Sequence, residues 1–201
     1  MLKTDGNTLI LSLADILTGN KVEGEAILKA LGLMCNGFSF DCGMVYDVNF
    51  MEQFCLMEHY ETCEIALREK FEGNELTKKE WVRLAQKPML HMEKSARNTV
   101  LETKMLEMYA VESLILAPVA DENGTIYGMV ALLNAKRKAT LSRSDEKILS
   151  VLLSMLVRYT RIRMYQRKLD QAQKSLKSIL DNTGIDIYVN DFYNHDILYV
   201  N

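Results

Sequence analysis

The chain has 201 residues, of which 48% are hydrophobic and 25% charged, with ten Gly and two Pro. That balance excludes a disordered or fibrous chain, and the length buries a core without disulfide or metal staples while exceeding a typical single domain and falling short of two. The formal charge of −3 is uneven: between Arg158 and Ser178 seven basic residues and one acid give a local +6, against −9 elsewhere.

In chain order, the N-terminus carries Leu9, Ile10, Leu13, Ile16 and Leu17 at helical spacing. One lysine, an early Asp5 and the lack of a small-residue cleavage site make it an amphipathic helix and not a signal peptide. A second helix is predicted from Lys21 to Asn36, with Gly37 as its C-cap. The period then changes to two. Asp41 to Val48 and Glu52 to Tyr60 read as a hairpin across Asn49-Phe50-Met51. The polar middle region predicts helices over Leu76 to Ala85, with Thr77 as a cap, and over Ser95 to Tyr109, with Pro88 between them. Val111 to Ala120 and Thr125 to Asn134 are strands around an Asn123-Gly124 turn.

Ser142 and Asp145 then form the S-x-x-D pattern of a capping box. The helix it opens contains the longest apolar run, the ten residues Ile148 to Val157, interrupted by two serines and far short of the ~20 needed to span a membrane. Ile148, Met155, Ile162, Leu169 and Leu176 form one line of a heptad repeat. Leu152, Tyr159, Gln166, Gln173 and Leu180 form the other, which predicts a two-stranded coiled coil and a homodimer through the helix 148–180. The basic window lies on this helix and reads as its solvated face, so neither a nucleic-acid nor a membrane partner is expected. Asp181 to Gly184 ends it, and Ile185 to Asp191 and Ile197 to Val200 are strand-like runs.

The stretch Val111 to Val119 (VESLILAPV), Gly124 to Asn134 (GTIYGMVALLN) and the capped start at Ser142 to Glu146 resembles the C-terminal half of a GAF domain. The tail Ile179 to Asn201 resembles the opening of a PAS domain. These resemblances imply an α+β fold, a GAF-like antiparallel sheet with helices on both sides and a long C-terminal helix. They divide the chain into a GAF-like sensor domain at 1–157, a coiled-coil signalling helix at 158–178 and the first strands of a PAS domain at 179–201. The implied function is sensory: a small ligand biases the GAF domain, and a dimeric helix relays that bias to a PAS and output domain. The segment around Leu101 to Val119 resembles GAF domains of diguanylate cyclases, with histidine kinases as the other output. A GAF module that has lost its ligand and only dimerises is the alternative.

By the same analogy the pocket lies between the sheet and the middle-region helices, lined by Tyr46, Cys55, Trp81, His91, Tyr109 and Ser113. The ligand is unidentified. The N-K…F-x-x-x-D-E signature of cyclic-nucleotide-binding GAF domains has its nearest counterpart in Asn134, Lys136, Leu141, Asp145 and Glu146, but an alanine intrudes after Asn134 and Leu replaces Phe. None of the four cysteines (Cys35, Cys42, Cys55, Cys63) is followed by His, as bilin attachment in GAF domains usually requires. Cys42 and Cys55 fall on adjacent predicted strands, which keeps thiol chemistry of the free methionine-sulfoxide reductase kind as a third reading. The cysteines lack zinc-ligand spacing, and with no signal sequence they are expected as the reduced thiols of a cytoplasmic protein. The three histidines are scattered, so no metal site and no catalytic residue is expected.

Overall fold

The structure is a computed structural model that describes residues 5–19, 22–48, 54–61, 80, 86–95, 98–139, 141–182, 188–190 and 197–200. The chain divides into two compact units, Met1–Ile162 and Arg163–Asn201. In the first, helices α1 (Gly6–Gly19) and α2 (Glu23–Phe38) precede strands β1 (Cys42–Val48), β2 (Phe54–Glu61) and β3 (Leu90–Glu93). Helix α3 (Val100–Tyr109), strands β4 (Ser113–Ala120) and β5 (Ile126–Asn134), and helix α4 (Arg143–Asp181) follow. The second unit holds the last part of α4 and a hairpin of β6 (Tyr188–Asn190) and β7 (Ile197–Val200).

The five strands of the first unit pair antiparallel in the order β2-β1-β5-β4-β3. The predicted hairpin is β1–β2, with a bulge at Val45/Tyr46. The β4–β5 turn forms because the Asp121 carboxylate accepts the backbone N–H groups of Asn123 (2.9 Å) and Thr125 (2.8 Å), and Gly124 takes a φ of +80°. Those bonds, Thr125 first, hold the Asp121 carboxyl below its ordinary range. Pro118 is tolerated in β4 because β3 pairs only as far as Leu116, so no ladder bond is lost on that side.

The sheet is covered on both faces. Helix α2 packs on β1 and β2, where Gly43 permits close approach: a Cβ there would stand 3.0 Å from Cys35 Sγ and 3.1 Å from Leu31. Helix α1 lies on α2, and its Gly6 is where Ile148 of α4 packs. The opposite face meets α3, opened by a full capping box: Glu102 N–H donates to Thr99 Oγ1 (3.3 Å) and Thr99 N–H to Glu102 Oε2 (2.8 Å). The predicted box of α4 is also present, with Ser142 and Asp145 exchanging two bonds of 3.1 Å.

Two expectations are corrected. Gly37 lies inside α2, against Leu9, and the left-handed cap is Ser39 at φ 61°. The helix predicted from Ser95 begins at Val100, because Thr99 and Glu102 close the box there. Leu90–Glu93, which lies between the two predicted helices and belongs to neither, is an edge strand pairing with β4. The predicted helix over Leu76 to Ala85, apart from Glu80, lies outside the described residues.

Candidate functional site

Strand alternation sends Cys42, Met44 and Tyr46 of β1, Leu114 and Leu116 of β4, and Met129, Ala131 and Leu133 of β5 to one face. There they meet Met105, Leu106 and Tyr109 of α3 and Met92 of β3 in one continuous cluster, every member at most 2% exposed. Tyr46 donates its hydroxyl proton to the Met44 thioether at 3.0 Å. Burial pushes the Tyr46 phenol far above its ordinary value, with the Cys42 thiol adding to the effect. Tyr109 is raised likewise, first by complete burial, then by the neighbouring Tyr46 and Cys42. The result is two neutral phenols set among four methionines in a low-dielectric layer.

Of the six predicted site residues, the structure brings Tyr46 and Tyr109 together on this face. Cys55 lies opposite Asp47 on β2 and is exposed. Ser113 and His91 belong to the other face: His91 pairs with Ile115 while Met92, one residue on, enters the cluster. The Ser113 hydroxyl donates to the Arg137 carbonyl (3.3 Å). The His91 ring stands between Glu146 of α4 (3.3 Å from Nδ1) and Glu93 (3.4 Å from Nε2), so it ties the edge strand to the first turn of α4. Trp81 lies outside the described residues. A cleft of about 320 Å³, lined by Pro88, Pro118 and residues of α4 that include Arg158 and Arg161, contains none of the six. The residues missed were Met44, Met92, Met105 and Met129. The alternation Cys42-x-Met44-x-Tyr46 already marked the first of them.

The sheet order, the capped α3 and the exit helix invite comparison with solved structures. The chromophore-binding domain of an unusual bacteriophytochrome from R. palustris matches 81% of this chain with a TM-score of 0.62 and 9% identity. The phycoerythrobilin-bound GAF domain of a cyanobacterial phytochrome matches 80% with a TM-score of 0.60 and 9% identity, and 96% of that chain is covered. The GAF domain of an Acinetobacter phosphoenolpyruvate-protein phosphotransferase gives 0.54 over 79%, at 12% identity and with 94% of that chain covered. The fold is the GAF fold. This chain spans 62% of the length of the R. palustris chain. No protein-family model and no curated protein matches the sequence.

Three of the five candidate cyclic-nucleotide residues, Asn134, Asp145 and Glu146, have other partners. Asn134, 1% exposed, accepts the Asp41 N–H through Oδ1 (3.0 Å). Asp145 caps α4 and Glu146 meets His91. The thiol pair is not assembled either. Cys42 is buried opposite Glu61 and Cys55 is exposed opposite Asp47, five residues or about 16 Å along the strands. The third cysteine described, Cys35, is buried, which pushes its thiol far above its ordinary value and leaves it inert. Among the described residues no cluster of His, Cys, Asp and Glu suits a metal ion, and no helix is long and apolar enough to cross a membrane.

Proposed function

We propose that this chain is the sensory region of a signalling protein, in which a small ligand enters between the sheet and α3 and contacts Tyr46 and Tyr109. The observation that carries it is the methionine-lined layer around the two phenols. Methionine side chains are unbranched and polarizable, so such a layer reshapes around a guest at lower cost than one of branched residues. The phenols supply the few convergent polar handles that orient a ligand in an apolar site. A ligand that favours one of two packings of this layer biases the protein by its differential affinity. In this reading α4 dimerises and passes the bias to residues 179–201 as the start of a PAS domain. A diguanylate cyclase or histidine kinase output follows, in the cytoplasm, with no catalysis by this chain.

A second reading is supported by the near-complete burial of the same residues: a GAF domain whose layer is packed shut and serves only dimerisation. Thermal unfolding in the presence of a metabolite library separates the two. Ligand at a hundred times its Kd adds about 2.7 kcal/mol to the native state, or roughly 5–10 °C for a chain of this size. The sensor reading expects at least one compound to produce such a shift, diminished in Tyr46→Phe and Tyr109→Phe. A flat response across the library supports the ligand-free module.

A further inference from the structure

From Arg163 to Asp181 the helix α4 keeps large apolar side chains in water: Tyr165 is 42% exposed, Leu169 61%, Leu176 60% and Ile179 61%. Most of a helix's stability in proteins comes from packing an apolar face against something. These four residues, with the exposed Ala172 between them, step along the helix by 4, 3, 4 and 3. The seam expected from sequence used Leu169 and Leu176 with Gln166, Gln173 and Leu180. In the structure both glutamines are exposed polar neighbours of a more apolar line one residue earlier. Leu152, which anchored the glutamine line, is fully buried within the first unit and cannot serve a seam.

We infer that Leu169 and Leu176 at one core position, and Tyr165, Ala172 and Ile179 at the other, form the seam of a parallel two-stranded coiled coil with a second copy of this chain. The inference rests on the dimeric relay proposed above and names its contact residues. Charge placement selects the occupant. In this register Arg163, Arg167, Lys174 and Lys177 fall on the side away from the seam. The flanks carry Gln166, Gln173 and Leu180 on one side, and Lys168 and Ser175 on the other. A second copy therefore approaches without opposing rows of like charge, and in parallel register Lys168 meets the Gln173 amide of the other copy. An acidic partner would find most of the cations on the far side of the helix.

Disulfide cross-linking through one introduced cysteine at a time tests the seam, with the buried Cys35 and Cys42 retained. In a Cys55→Ser, Cys63→Ser background, Ala172→Cys, Gln173→Cys, Ile179→Cys and Leu180→Cys are oxidised and sized, and the unoxidised protein is sedimented. Disulfides demand close, well-aimed Cβ atoms, so Ala172→Cys and Ile179→Cys are expected to cross-link roughly tenfold faster than their neighbours. Faster linkage at 173 and 180 overturns this seam and leaves the dimer standing. Linkage at 172 without 179 overturns the parallel orientation. A monomer in sedimentation with no linkage at any position overturns the seam and the dimeric relay together.

Discussion

Asn134 and Asp41 hold the end of the sheet by reciprocal side-chain-to-backbone bonds. Asn134 takes the Asp41 N–H, the Asp41 carboxylate takes the Ala135 N–H (3.0 Å), and Arg137 binds the same carboxylate at 2.8 Å. The Asp41 N–H is shared with the Leu133 carbonyl (3.0 Å), so Asn134→Ala removes one of its two acceptors and is expected to cost about 0.5–1.5 kcal/mol in chemical denaturation. A loss below a few tenths would contradict the clamp. The two phenols make a pH prediction. Burial keeps them protonated in the folded state, so above pH ~10, where unfolded tyrosines ionise, the native state binds more protons than the unfolded. This contribution to stability is intact below that pH and is lost as pH rises above it. Absorbance at 295 nm should show Tyr46 and Tyr109 ionising only with cooperative alkaline unfolding, and that unfolding-linked step should lose two tyrosines in Tyr46→Phe, Tyr109→Phe. Among the thiols, a Cys63→Ser chain should give one fast-reacting group, Cys55, in native buffer. Cys35 and Cys42 should react only in denaturant.

At the scale of elements, the alternating runs of β1, β2, β4 and β5 and the capped start of α4 were legible in the sequence, because each shows a period or a cap over enough residues to be read. Leu90–Glu93 was not. Four residues after a proline carry too little alternation to separate a strand from a helix start, and its identity comes from pairing with β4. Gly37 was misread for a related reason: a glycine near a helix end suits a cap, but here its missing side chain makes room for Leu9. Of the proposed site, Tyr46 and Tyr109 were named by analogy with GAF domains, and the strand registers and α3 bring these two together. Cys55, His91 and Ser113 were expected on this face without strand registers, which decide the face of every strand residue. Gly43 tests the packing of α2. Gly43→Val places atoms against Cys35, Leu31 and Leu132 and is expected to lower stability by roughly 1–3 kcal/mol, read as a lower denaturant midpoint. An unchanged midpoint would mean that α2 does not seat against β1 there.

For the whole molecule, the length that exceeds one domain is accounted for by a GAF-fold unit and a second unit of helix and hairpin. Leu169→Lys with Leu176→Lys is expected to abolish the proposed dimer and leave a monomer in sedimentation. Persistence of the dimer would direct attention to other exposed apolar residues such as Leu11 on α1, 67% exposed. The central claim is that a ligand enters the methionine layer, and methyl NMR of methionine-labelled protein tests it most directly. With the twelve methionine signals assigned by substitution, a compound that raises the melting temperature should shift Met44, Met92, Met105 and Met129 together and leave exposed methionines unmoved. Stabilising compounds that move only other methyls, or none, would contradict the claim.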